Sequence, residues 1–250
     1  MIERPNGTSF LESQPNFRSF EGIRALDGRM FRKNMLYRSG GLNKLSPADL
    51  LKLGDIGLAM VVDFRSDREV ASYPSCFIPS VQKTYRIAIP DEARDRAMEF
   101  LDMNNAEGLE KVLISDYRRM IKNDTPRFAE FFRILEQANS LPLVFHCAAG
   151  KDRTGIASFL LLTALGFDPE TVKQDYFLSN IRLSAFIERL IKKVTEDGKN
   201  GQIIRPMMEV RPEYLQAALD EIALSFGGID NYLSKVLAVD SELLKTKYLE

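Results

Sequence analysis

The sequence predicts an α/β fold: a mostly parallel sheet flanked by helices, with a helical C-terminal part. Three observations predict it. Short apolar runs of strand length alternate with segments of helical spacing as far as residue 166. One of these strands, "LPLVFH", passes through a loop of small residues directly into the helix "TGIASFLLLTALG". From Asp168 onward the pattern is helical. The 250 residues, 45% hydrophobic and 28% charged, suffice for a sizeable core and argue against disorder. The expectation is a single domain over 1–250, with 1–15 a flexible N-terminus and 168–250 a helical flank of the same domain.

The elements follow in chain order. "GIRALDGRMF" reads as a hairpin with Asp27-Gly28 at its turn. "NMLYRSG" is a short strand. Ser46 as N-cap and Pro47 at the first helical position open "PADLLKLGDIG". "LAMVVDF", Leu58 to Phe64, is a buried strand by its unbroken apolar run. Ser66 and Glu69 form a capping-box pattern for the helix "DREVASY". "KTYRIAI" is the next strand, and the polar stretch Arg86 to Asn105 after it reads as a lid or the rim of a pocket. "GLEKVLISDYRRMIK" is helical by spacing, and Thr125-Pro126 caps "RFAEFFRILEQA". After "LPLVFH" and its loop, Gly166 ends the next helix. Four helices fill the remainder: "PETVKQDYFLSN", "RLSAFIERLIKKVTED", "PEYLQAALDEIALSF" and "IDNYLSKVLAV".

Composition removes several function classes. Lys+Arg is 34 against 35 for Asp+Glu, so no basic field points to nucleic acid. Two cysteines do not make a disulfide framework and fit a reducing compartment. The N-terminus "MIERPNGTSFLESQPNF" has no apolar signal core, and no apolar run reaches membrane-spanning length. A cytoplasmic protein is expected, with export that reads no N-terminal signal peptide left open, and a monomer is the default. One histidine and two cysteines cannot supply a four-ligand Cys/His set, so neither a metal nor another cofactor is expected.

The chemistry gathers in "HCAAGKDRTG". It holds the chain's single histidine, His146, one of its two cysteines, Cys147, and Arg153 six residues on. Ala148, Ala149 and Gly150 have little or no side chain, so the backbone can fold tightly and turn its N–H groups inward as an anion nest. The following helix adds its positive N-terminal end, and Arg153 can add a fork of hydrogen bonds to phosphate oxygens. The expected product is a cup for a tetrahedral dianion, lined by residues 148 to 153, with Cys147 at its base. A cysteine at a helix N-terminus near cations can have a pKa of roughly 3.5–7.5, which makes it a nucleophile at neutral pH. His146 is then not needed as a base, and its ring is expected to bond loop backbone. The Thr154 hydroxyl can donate to the thiolate.

Other polar residues carry plainer readings. Arg38 and Arg65 at strand ends read as members of structural ion pairs. Tyr117 reads as packing, Arg118 as surface and Cys76 as buried. "AGKDRTG" lacks the spacing of a nucleotide-binding P-loop.

"HCAAGKDRTG" matches the H-C-x5-R-[ST] signature of cysteine-dependent phosphatases, and its H-C-x-x-G-K-D-R-T form resembles a bacterial tyrosine and phosphoinositide phosphatase family with a mycobacterial member. "NFRSFEGIRALDGRMFRKNMLYRSGGLNKLSPADL", "GLAMVVDFRSDREV", "VKQDYFLSN" and "EYLQAALDEIALSFGGIDNYL" resemble further segments of that family, so the likeness runs from about Asn16 to about Leu237. Ser19-Phe20-Glu21 departs from it, where D-L-G is common. The resemblance implies a phosphatase-type fold and a metal-independent hydrolase of tyrosine, dual or lipid specificity, acting on a phosphorylated protein or a phosphoinositide. It makes Cys147 the nucleophile and Arg153 the phosphate-binding arginine. Lys151 and Asp152 match a pair that distinguishes the family, and Asp63 matches an aspartate on a neighbouring strand end. Lys151 is expected on the rim, where it would attract a headgroup with extra anionic groups. Asp152 and Asp63 are both candidates for the general acid; Asp152 is favoured, with Asp63 then orienting Arg153 as a buried partner. Two rival functions stand beside this one: a non-catalytic phosphate- or phosphoinositide-binding module, and a sulfurtransferase using the same loop.

Overall fold

The computed structural model describes residues 10–250. Five strands form one sheet: β1 (Arg18–Ser19), β2 (Leu36–Ser39), β3 (Met60–Asp63), β4 (Lys83–Arg86) and β5 (Leu143–His146). Their order is β1-β2-β5-β3-β4, with β1 antiparallel to β2 and every other pairing parallel. The register sets Ser39, His146, Asp63 and Arg86 side by side at the strand ends. The carboxyl edge of a parallel sheet is where such folds place their sites, and polar residues collect there.

Helices α1 (Pro47–Asp55), α2 (Asp67–Ser72), α3 (Glu92–Asp102), α4 (Ala106–Asn123), α5 (Thr125–Gln137) and α6 (Arg153–Ala164) connect or follow the strands. The C-terminal part holds α7 (Pro169–Glu196), α8 (Arg205–Met208), α9 (Pro212–Phe226), α10 (Ile229–Asn231), a turn of π-helix and α11 (Ser241–Tyr248). The N-cap read at Ser46 and the capping box read at Ser66 and Glu69 are both present, and at α1 Asp49 completes a second capping box that the sequence reading did not assign.

Alternate strand residues face opposite sides. Met60, Val62, Leu143 and Phe145 enter the main core with α4, α5, α6 and α9, whereas Val61 and Val144 pack with Leu53 of α1, Leu11 and Phe17. Helices or chain therefore cover both faces. Phe145 lies 5.0 Å from Phe131, 6.0 Å from Phe20 and 6.3 Å from Phe64 by ring centroids. Truncating such a ring to alanine costs about 3–5 kcal/mol.

The structure departs from the sequence reading in places. The two helices read over 169–180 and 182–197 are one continuous α7. Thr125 does not cap α5: its hydroxyl donates back to Ile121 O at 2.6 Å. The hairpin at Asp27-Gly28 is reduced to a single bridge, Arg24 to Met30. Of the N-terminal segment 1–15, residues 1–9 lie outside the described residues; beyond them Leu11 is fully buried, and Ser13 hydrogen-bonds Asp49. Among the described residues no helix is long and apolar enough to cross a membrane.

Candidate active site

Cys147 leaves the end of β5, buried, and α6 begins at Arg153. Between them the chain turns at Gly150, whose φ of 69° is left-handed. A Cβ there would stand 2.3 Å from Ser39 O, so only glycine lets the loop lie against the end of β2. The loop's carbonyls are then tied outward one by one. Ala148 O accepts from Gly41 N at 2.8 Å. Ala149 O accepts from Asn16 Nδ2 at 3.0 Å, and Gly150 O from Asn16 Nδ2 at 2.9 Å and Arg38 Nη2 at 2.8 Å. An amide N–H shares its plane with the preceding carbonyl and points the opposite way. The N–H groups of Ala149, Gly150 and Lys151 are thereby turned to the inside of the loop, and they make no backbone hydrogen bond among the described residues. The first N–H groups of α6, which no intrahelical carbonyl can reach, complete a concave cluster of donors above Cys147.

Arg153 is held by a partner that the sequence reading did not assign. Its Nη1 and Nη2 donate to Glu69 Oε2 and Oε1 at 2.6 and 2.7 Å, and Nη1 also donates to Ile89 O at 3.1 Å. Asp91 is 3.5 Å from Nη2. The Arg153 Nε makes no hydrogen bond among the described residues. Burial alone works against both charges. Hydrogen bonding and charge across the pair reverse this, holding the Glu69 carboxyl below its ordinary value and the Arg153 guanidinium above its own. Glu69 is also the capping-box residue of α2, accepting from Ser66 N at 2.8 Å. One carboxylate thus caps a helix and aims an arginine.

Asp63 is therefore not the partner of Arg153. It is taken by Arg65, whose Nη2 lies 2.7 Å from its Oδ2, and both side chains are buried. Burial raises the Asp63 carboxyl, but His146 and Arg65 more than offset it, so the group is held low. His146 behaves as a loop fastener. Its Nδ1 lies 3.1 Å from Cys147 O, a carbonyl that can only accept, so Nδ1 carries the proton. Burial holds the ring's pKa below its ordinary value, against the pull of Asp63.

Lys151, expected on the rim, is only 4% exposed, and its Nζ lies 2.8 and 2.6 Å from the two Asp152 oxygens. A neighbouring carboxylate gives the ammonium a partner inside the protein, which a solvated rim position would not. Asp152 itself keeps a quarter of its side chain exposed at the loop's mouth. Its Oδ1 also accepts from Tyr117 at 2.7 Å, and Tyr117 accepts from Tyr176 at 2.9 Å. Burial pushes both phenols well above their ordinary value, so they stay protonated and donate. Tyr117 is thus more than packing, while Arg118 is exposed as read. The Thr154 hydroxyl is buried without a hydrogen-bond partner among the described residues, beside the loop it was expected to serve.

Arg38 and Arg65 are ion-paired, as their strand-end positions implied, with Asp175 and Asp63. Cys76 is only half-buried and is a free thiol, as is Cys147. Part of the polar stretch after β4 does form a rim: Pro90, Asp91 and Glu92 line a cleft of about 300 Å³ together with Glu69 and Tyr73. Asn16, Arg18, Glu69 and Asp175 are the site residues the sequence reading missed. Their segments were quoted for the resemblance, but nothing in local spacing says that they converge on the loop.

The model of the tyrosine phosphatase family matches residues 10–250. A Cupriavidus necator protein whose name assigns it provisionally to the tyrosine-protein phosphatases is 34% identical over 238 residues, covering 94% of this chain and 85% of the relative. The triple specificity protein phosphatase PtpB of Mycobacterium tuberculosis is 28% identical over 235 residues, covering 81% of this chain and 85% of the relative. A tyrosine-protein phosphatase of Nostoc commune is 25% identical over 221 residues, covering 84% and 72%. With a cup of inward amides over a buried cysteine and a family model spanning all the described residues, the chain belongs to the tyrosine phosphatase family.

Proposed function

We propose that the chain is a phosphomonoester phosphatase that works without a metal, through a cysteinyl-phosphate, on proteins carrying phosphotyrosine. A phosphate seats with its oxygens on the loop N–H groups and on the Nε edge of Arg153. Cys147 Sγ attacks phosphorus in line. The S–P bond forms, the P–O bond to the leaving oxygen breaks, and Asp152 gives that oxygen a proton. Water then attacks phosphorus as Asp152 takes back a proton from it, the S–P bond breaks, and inorganic phosphate leaves with the thiolate restored. Fixed N–H dipoles and Arg153 stabilise the charge in both transition states without having to reorganise. The observation that carries this reading is the outward anchoring of three successive carbonyls, from Ala148 to Gly150. Asp152 at the open mouth can reach a leaving oxygen, whereas Asp63 is sealed against Arg65. A thiol nucleophile also suits a reducing compartment such as the cytoplasm.

A phosphoinositide was expected on two grounds, the family resemblance and a rim cation, and the burial of Lys151 removes the second. The triple-specificity name of the mycobacterial relative supports including lipid and phosphoserine substrates in the test. Cys147→Ser should end turnover of phosphotyrosine peptides and nitrophenyl phosphate while leaving phosphate binding intact. Asp152→Asn should slow the peptide far more than nitrophenyl phosphate, because a tyrosine phenol, pKa ~10, needs a proton to depart. Brisk turnover by Cys147→Ser, or activity abolished by a chelator, would overturn the mechanism. Faster cleavage of phosphoinositide vesicles than of phosphotyrosine peptide would replace the substrate class.

A further inference from the structure

Behind the loop, on the side away from Cys147, lies a charge cluster with more cation than structure alone requires. Arg38 is fully buried; its Nη2 donates to Gly150 O and its Nη1 to Asp175. Arg18, also buried, donates from Nε to Asp175 Oδ1 at 2.9 Å, from Nη2 to Asp175 O at 2.8 Å, and from Nη1 to Asn16 O at 3.1 Å. Arg18 also donates to Asn16 Oδ1, orienting the amide whose Nδ2 holds Ala149 O and Gly150 O. Two guanidinium groups thus share one buried carboxylate. A simple structural pair needs one of each, because an unneutralised charge in the interior is costly. The surplus positive charge lies directly outside a cup shaped for an anion, so a bound dianion supplies the missing countercharge.

We infer that Arg38, Arg18 and Asp175 act with Asn16 as a positioning assembly for the phosphate cup: they hold two of its three anchored carbonyls outward and place a net positive charge behind the bound anion. None of the four touches the substrate; each acts through Gly150 or Ala149. The main alternative is that the cluster merely ties α7 to β2 and the N-terminal segment. The two roles differ in what they change. A purely structural loss reduces the fraction of folded protein, and with it the number of binding sites, but leaves the affinity of each folded molecule alone. A misaimed cup weakens every molecule.

The inference rests on the phosphatase reading, and the experiment separates the two. Orthovanadate affinity and stoichiometry are measured by calorimetry on the full chain, with kcat and KM for nitrophenyl phosphate, in wild type, Arg38→Met and Asn16→Ala. Cooperative thermal melts establish that each variant is folded. The expected result is a vanadate Kd raised roughly tenfold to hundredfold in Arg38→Met at near-unit stoichiometry, with kcat reduced by at least a similar factor. Asn16→Ala keeps both arginines and the fold's ion pairs, and should show the same pattern more weakly; it carries the test if Arg38→Met does not fold. Folded variants whose Kd and kcat stay within twofold of wild type, or whose only change is a lower stoichiometry, would overturn the inference. Failure of the wild type itself to bind vanadate or turn over would instead overturn the phosphatase reading on which it rests.

Discussion

Replacing Gly150 by alanine tests whether the loop is pinned against β2. The new Cβ would sit 2.3 Å from Ser39 O and 2.6 Å from Gly40 N, where ordinary contact begins at 3.4 Å. Ser39 is fixed at the end of β2, paired with His146 of β5, so the loop must give way by about 1 Å. Left-handed backbone costs a non-glycine residue about 1–2 kcal/mol, and forced overpacking about 1–3 kcal/mol more. At about 2–4 °C per kcal/mol for a chain of this size, melting should fall by roughly 4–20 °C. The larger effect is on rate. A misplacement of about 1 Å at the reacting centre costs on the order of a hundredfold in kcat. The control is Gly166→Ala. Gly166 has a similar φ of 79°, but its Cβ would meet only Lys245 Cε at 3.7 Å. It should lose the strain energy alone and keep its kcat. Steady-state kinetics on nitrophenyl phosphate, well below both melting points, compare the two. If Gly150→Ala keeps kcat within threefold of wild type, or if the two variants lose activity equally, the loop is not held by the contact described.

Two further outcomes follow from the charges. Glu69→Gln leaves the buried Arg153 guanidinium without its bidentate carboxylate, with only the more distant Asp91 as countercharge, and should destabilise the free protein by about 3 kcal/mol; orthovanadate should restore more of the melting temperature than it adds to wild type, and equal increments in both proteins would refute the pairing. Asp116 has its carboxyl pushed up to about 6, first by burial and then by Asp91 and Asp152, with Arg119 opposing. A carboxyl raised above its unfolded value near 3.9 contributes its full stability only below about pH 4 and loses it as pH climbs through 6. Asp116→Asn should therefore gain on wild type by about 1–2 kcal/mol between pH 5 and pH 8, read as a widening gap in melting temperature; a constant gap would refute the assignment.

What was legible in the sequence was what is local. Cys147 to Thr154 occupy one turn of chain, and the small residues, the glycine and the helix start sit within hydrogen-bonding range of each other by connectivity alone. The central strands announced themselves because burial on both faces demands unbroken apolar runs, as in residues 60–62 and 143–145. What was not legible depended on which of several carboxylates meets which arginine. Asp63 and Glu69 lie six residues apart on the same strand–helix connection, and either could serve Arg153 by spacing. Glu69 was already explained as a cap, which hid its second role. The break expected near Ile181 failed for a related reason: Asn180 looks like a helix-ending residue, but its side chain bonds both N–H and C=O of Val210, so tertiary contacts keep α7 running.

The outward ties of the loop also bear on what can be transplanted. A designer who moved residues 146–155 to another strand–helix junction would carry Cys147, Arg153 and Asp152, the groups to which the chemistry is proposed to belong. Left behind would be Gly41 N–H, Asn16, Arg38 and Glu69, all upstream by more than seventy residues. Without them nothing would stop the peptide planes from flipping, and an inward carbonyl would meet the anion with the wrong sign. The portable unit is the loop together with those four contacts. By the same logic, the loop signature alone does not specify the cup; positions 16, 38, 41 and 69 are the filter to add.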